Sequence, residues 1–220
     1  MRKKEVQDII FLTLQDELAG HGFRYVKSGE GKLIRRFKGG WHQISAAIYM
    51  DYPNPCFTLL VEIRLDVVAN IYIELAGVLP GYHKDVFSAI ANLGYFWAEP
   101  GGRNERGVVN FDSPETLMAE VRALFPLLNQ KVIPLLDACT DVAGLDRLLN
   151  SGNTPPFSVQ NVLDKSDATN ALLAAKLAGN PHFEQLVSQF ERQFRAESEA
   201  LWTHYSATVD YIRHYQGGVK

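Results

Sequence analysis

Residues 32–65, KLIRRFKGGWHQISAAIYMDYPNPCFTLLVEIRL, decide the fold, because apolar and polar residues alternate in three consecutive runs parted by a Gly-Gly turn and a double-proline loop. Successive side chains of a strand point to opposite faces, so a half-buried strand must repeat every two residues. The third run does so most cleanly: Phe57, Leu59, Val61, Ile63 and Leu65 fall on one face, Thr58, Leu60, Glu62 and Arg64 on the other. In the second, Ile44, Ala46, Ile48 and Met50 form the apolar face, opposed by Trp41, Gln43, Ser45, Ala47 and Tyr49. In the first, Arg35 shares a face with Leu33 and Phe37, and so must snorkel from an edge or meet a partner. The linker Asp51 to Pro55 suits a hairpin of several residues, since its prolines fix φ and remove ladder donors. The strands are therefore expected to pair antiparallel. Burying the five core-facing residues of the third run, at roughly 1.5 to 3 kcal/mol each, contributes on the order of 10 kcal/mol before chain entropy is subtracted.

On the N-terminal side, Val6, Ile10, Leu14 and Leu18 recur every four residues, which predicts a helix from about Lys3 to Ala19, stopped by Gly20 and Gly22, that covers the apolar sheet face. The intervening segment Phe23 to Lys38 is the strongly basic stretch, with Arg24, Lys27, Lys32, Arg35, Arg36 and Lys38 against the single acid Glu30. On the C-terminal side the pattern predicts a short helix after Leu65, a helix over Tyr82 to Asn92, and short strands at Tyr95 to Ala98 and Val108 to Phe111 around a Gly-rich loop, Glu99 to Gly107. Asp112-Ser113-Pro114-Glu115 has the chemistry of a helix start. That helix runs toward Asp137 and is kinked or divided at Pro126 and Pro134, and Asp141 caps the next, VAGLDRLLN. Ser151 to Pro156 concentrates turn formers and reads as a boundary, giving an α+β domain over residues 1–152 and a helical hairpin over 153–220. In that hairpin Asp167 to Ala178 is the first arm and His182 to Tyr215 the second. If unbroken, the second arm would span about 50 Å at 1.5 Å per residue. Its distal stripe, Leu201, Trp202, Tyr205, Val209 and Ile212, needs a cover. A homodimer through Leu201, Trp202, Tyr205 and Ile212 is one expectation, and packing on the sheet is the other.

With 22 Lys plus Arg against 25 Asp plus Glu, the formal net charge of −3 gives no global attraction to phosphate backbones, so any basic site is local. The two cysteines, Cys56 and Cys139, have neither metal nor redox spacing and are expected to be free thiols in a reducing cytoplasm. No stretch reaches the ~20 apolar residues of a membrane helix, and the acids Asp16 and Glu17 interrupt the first apolar run where a signal peptide would continue.

Chemically informative motifs are sparse. KSGEGKL departs from a phosphate-binding loop at both ends, with Val26 where the first glycine belongs and Leu33 where the magnesium-holding hydroxyl belongs. None of the six histidines pairs with another or with cysteine at ligand spacing, so no metal or cofactor is expected. No nucleophile elbow occurs. Glu62, beside Arg64 on the non-core strand face, is the acid best placed for a substrate, and an exposed cross-strand charge pair explains it more simply. Two surfaces remain. Trp41, Tyr49, Glu62 and Arg64 around the small Ser45 and Ala47 could form a partner-binding trough, and Lys27, Lys32, Arg35, Arg36 and Lys38, interleaved with aromatics, have the composition of a single-stranded nucleic-acid site or of a protected edge strand.

The order of these segments resembles the bacterial domain of unknown function numbered 4304. The likeness lies in the helix ending in Gly20-His21-Gly22-Phe23, the Arg35-Arg36-Phe37, Trp41-His42-Gln43-Ile44 and Phe57-Thr58-Leu59 to Arg64 strands, and Val132 to Asp137 leading to Leu145 to Leu149, with Ala168 to Phe194 similar to the helical pair that can follow. The resemblance implies an α+β fold and no activity. The function expected is a non-catalytic intracellular protein-interaction domain of immunity or accessory type. The alternatives are a nucleic-acid-binding module using residues 24–38 and an unrecognised hydrolase.

Overall fold

The computed structural model describes residues 1–27, 29, 31–97, 107–150 and 165–216, and the fold is α+β. The expected boundary at Ser151 to Pro156 and nearly all of the Gly-rich loop 99–107 lie outside the described residues. The chain forms two compact units, Met1–Ile63 with Ile90–Ala138, and Arg64–Ala89 with Cys139–Lys220. Residues 64–89 and 139–150, assigned above to the α+β domain, thus cluster with the C-terminal helices. No helix among the described residues is long and apolar enough to cross a membrane.

In the first unit, helix α1 (Lys3–Leu18) buries Val6, Ile10, Phe11, Leu14 and Leu18 completely. The expected glycine stop is present: a 3-10 turn over Ala19–His21 closes on Gly22 at φ +82°. A three-residue strand not anticipated above, β1 (Arg24–Val26), then pairs antiparallel with β2 (Lys32–Phe37), and β2 pairs antiparallel with β3 (Gly40–Tyr49). The sheet continues through β4 (Cys56–Leu65) in the order β1-β2-β3-β4-β5. Phe57, Leu59, Val61 and Ile63 are fully buried, as the alternation requires, on the face with Leu33 and Ile44. Gly31, at φ +66° in the β1–β2 turn, lies so close to α1 that a Cβ there would sit 2.2 Å from the Gln7 amide nitrogen.

Two local expectations are overturned. The segment read as a helix over Tyr82 to Asn92 is a 3-10 turn (Pro80–Asp85) followed by strand β5 (Ala89–Asn92), where Ala89 and Ala91 are buried and Ile90 and Asn92 exposed. Alanine at alternate positions satisfies either period, and here sheet pairing wins. Conversely, Tyr95 and Phe96 lie not in a strand but in a short helix, α3 (Leu93–Trp97).

Strand β6 (Val109–Asn110) pairs antiparallel with β4. Helix α4 (Pro114–Ala123) starts as expected, with the Ser113 hydroxyl accepting the Thr116 N–H at 3.2 Å. The path to Ala138 is divided at both prolines, into a turn α5 (Phe125–Leu127), a π-helical segment over Leu128–Val132 and α6 (Ile133–Ala138). Within the π segment the Ile133 N–H reaches the Leu128 carbonyl, five residues back, and Pro134 brings no N–H to continue an α ladder.

In the second unit, α2 (Asp66–Ala76) ends at Gly77, φ +62°. Helix α7 (Val142–Asn150) is capped by Asp141, whose Oδ1 accepts the Gly144 N–H at 2.7 Å. Its Asp146 carboxylate, buried, accepts from Asn150 at 2.8 Å and from Asn180 at 2.8 and 3.1 Å, tying α7 to the turn after α8 (Lys165–Ala178).

The long second arm is two helices, not one: α9 (Phe183–Glu197) stops at Ser198, which is extended at φ −167°, ψ 132°, and α10 (Glu199–His214) starts anew. Helix α10 folds back on α8 and α9. Tyr205 meets Phe194 at 4.6 Å between ring centroids and receives the Thr169 hydroxyl at 3.3 Å, and Lys176 donates to the Arg213 carbonyl at 2.6 Å. Tyr205, Val209 and Ile212 are buried inside this unit and Leu201 and Trp202 half-buried, so the chain's own helices cover most of the stripe for which a second copy or the sheet was expected.

Candidate interaction surface

The pairing register sorts the basic stretch by face. Arg24 lies opposite Ile34, Val26 opposite Lys32, and Arg36 opposite Trp41, which places Arg24, Val26, Lys32, Ile34, Arg36 and Trp41 on the sheet face away from α1. Tyr25, Leu33 and Arg35 take the other face. Tyr25 stacks on Phe11 at 5.5 Å and donates to Asp8 at 2.9 Å, and burial followed by the Asp8 carboxylate pushes its hydroxyl pKa up to about 12. Lys27 also faces α1, 3.7 Å from Asp8.

Arg35 has the partner its position demanded. Its guanidinium donates to Asp137 Oδ1 at 2.6 Å, lies 3.0 Å from His42 Nδ1 and sits 5.1 Å over the Phe23 ring. Arg35 is therefore a tether from β2 to the end of α6. The five cations singled out from sequence do not share one surface: Lys32 and Arg36 are on the outer face, Lys38 is exposed in the β2–β3 turn, and Lys27 and Arg35 face α1. Arg24, left out of that set, belongs with Lys32 and Arg36. The parity of strand positions carries this information, but only once the β1–β2 register is known. Among the described residues Arg24, Lys32, Arg36 and Lys38 form no ion pair.

The four residues expected to form a trough differ in accessibility. Trp41 is half-buried, and Tyr49 is exposed and meets Tyr52 edge-on at 5.5 Å. Glu62 is only 4% exposed and accepts from Gln43 Nε2 at 2.6 Å and from the Ser45 hydroxyl at 3.0 Å. Glu62 is thus buried and not exposed as a cross-strand charge pair on a solvated face would be, and burial makes the carboxylate take close donors. Arg64, in the second unit, bonds Asp66 at 2.9 Å, Asn70 at 3.3 Å and the carbonyls of His83 and Val86 at 2.6 and 2.9 Å. That network fastens the loop after α2 to the helix start.

Among the described residues no cluster of three or more His, Cys, Asp or Glu could hold a metal ion. Cys56 and Cys139 are buried and not disulfide-bonded, and burial raises their thiol pKa, that of Cys139 to about 12, which suppresses the nucleophilic thiolate. A cavity of about 130 Å³ in the second unit is lined by the hydroxyl-bearing Tyr72, Ser166, Thr169, Tyr205 and Thr208.

No family model matches the chain, and no curated protein or solved structure matches it.

Proposed function

We propose that this protein is a non-catalytic interaction domain that binds a partner protein, of immunity or accessory type, in a reducing cytoplasm. The observation that carries the reading is the fate of Glu62: the acid best placed by sequence for catalysis is buried and occupied as a hydrogen-bond acceptor for Gln43 and Ser45. The accessible groups of the same sheet are Arg24, Arg36, Tyr49 and the half-buried Trp41, residue types that anchor protein interfaces. The resemblance described above supplies a fold and no activity, and so leaves this reading to the surface chemistry. A nucleic-acid-binding module is the second reading. It draws on Lys32 and Arg36, and is weakened because Lys27 and Arg35 of the same stretch face α1.

Glu62→Gln tests the proposal. It preserves the shape and the acceptor oxygen, so the variant should fold with reduced stability and retain the partner that co-purifies with the native protein from its host. A hydrolytic activity of the native protein that the folded variant loses would overturn the reading.

A further inference from the structure

On the outer face of β1, β2 and β3 in the first unit apolar and cationic residues stand opposite one another in pairs: Val26 by Lys32, Ile34 by Arg24 and Trp41 by Arg36. Val26, Ile34 and Trp41 are half-buried, while Arg24 and Arg36 are exposed and Lys32 half-exposed. None of the three cations is neutralised by an ion pair among the described residues. Glu62, which the alternation assigns to the same side of the sheet, is buried beneath its own donors and offers no exposed negative charge. On a chain of net charge −3 this is a local concentration of positive charge opposed to the sign of the whole. Lys32 and Arg36 are four strand positions apart, about 13 Å along β2 at the usual rise.

We propose that this face, with Arg24, Lys32 and Arg36 alternating with Val26, Ile34 and Trp41, docks an acidic, leucine-bearing peptide segment of the partner protein. The inference rests on the interaction reading above and names the site and the chemistry of its occupant. Apolar side chains of the segment cover Val26, Ile34 and Trp41, and its carboxylates meet the three cations between them, which orients the encounter and excludes cationic segments. Edge pairing is a poorer route, because the Tyr25 N–H of the outermost strand is already donated to Gln15 Oε1 at 2.9 Å. Single-stranded nucleic acid is also a poorer occupant. Base stacking uses successive aromatic platforms, and on this face Trp41 and Tyr49 stand eight strand positions apart on β3, about 26 Å at the usual rise.

Fluorescence anisotropy on the full chain, with a fluorescein-labelled peptide rich in Glu and Leu, tests the proposal beside a Gln-for-Glu peptide and an oligothymidylate. The acidic peptide should bind best and lose affinity as salt rises. Arg24→Glu with Arg36→Glu should weaken it at least about tenfold and Trp41→Ala about 30-fold. Amide resonances of residues 24–26, 32–36 and 41–45 should shift on titration. Should the charge-reversed protein fail the circular-dichroism check for folding, Arg24→Gln with Arg36→Gln replaces it. Unchanged affinity in the folded variant, shifts confined to other residues, or tighter binding of the oligothymidylate overturns the proposal. A native partner still retained by the charge-reversed variant overturns this site and leaves the interaction reading standing, whereas a wild-type chain that retains no protein overturns both.

Discussion

A leucine at the centre of β4 touches the sheet core from which water is fully excluded, so shortening it leaves a void that close-packed neighbours cannot fill. Leu59→Ala is expected to cost about 2–5 kcal/mol, read as a lower denaturation midpoint at unchanged slope. At Cys56 and Cys139 the expectation is kinetic. With thiol pKa values raised by burial, neither should react with an aromatic disulfide reagent near neutral pH until guanidinium unfolds the chain, when both should. Tyr25 gives the alkaline limit. Its pKa rises from 10.0 unfolded to about 12 folded, so its contribution to stability is complete below pH 10 and is lost as pH climbs through 12. Tyr25→Phe should flatten that part of the stability profile, which alkaline titration followed by circular dichroism measures. At this scale the sequence was readable for faces and not for depth: alternation assigned Leu59 and Glu62 to opposite sides correctly, but nothing in a period of two says that the polar side of β4 is also covered.

Elements were legible where one period was long and unambiguous, as in α1 and β3, and illegible where small residues fit either period, as at Ala89 and Ala91. The strand β1 was hidden by its three-residue length, and the break at Ser198 by the absence of glycine or proline. The candidate surface suffered from the first of these, since Arg24 joins Arg36 only through the β1–β2 register. The turn that sets this register makes its own prediction. Gly31→Ala must hold a positive φ and displace Gln7 at 2.2 Å, whereas Gly39→Ala at φ +90° meets nothing within 4 Å. The first should cost about 1–3 kcal/mol in urea unfolding and exceed the second, for which the φ penalty alone remains.

For the whole molecule, α10 is a part of the second unit's core and not an appendage. A chain ending at Glu197 strips Tyr205, Val209 and Ile212 from α8 and α9, so hydrogen exchange should find the α8 amides around Leu172 unprotected while those of α1 and β3 stay protected. A truncated chain that keeps α8 protected would contradict the packing described. The interleaving of the two units also orders events in time. As the chain leaves the ribosome, residues 64–89 appear before their companions, residues 139–220, with the whole return segment Ile90–Ala138 between. At about 5–20 residues per second, the apolar side of α2, with Val68, Ala69 and Ile71, waits several seconds for its cover. Nascent chains stalled just after Ala138 should therefore display that helix to chaperones, and release from them should coincide with the emergence of α8.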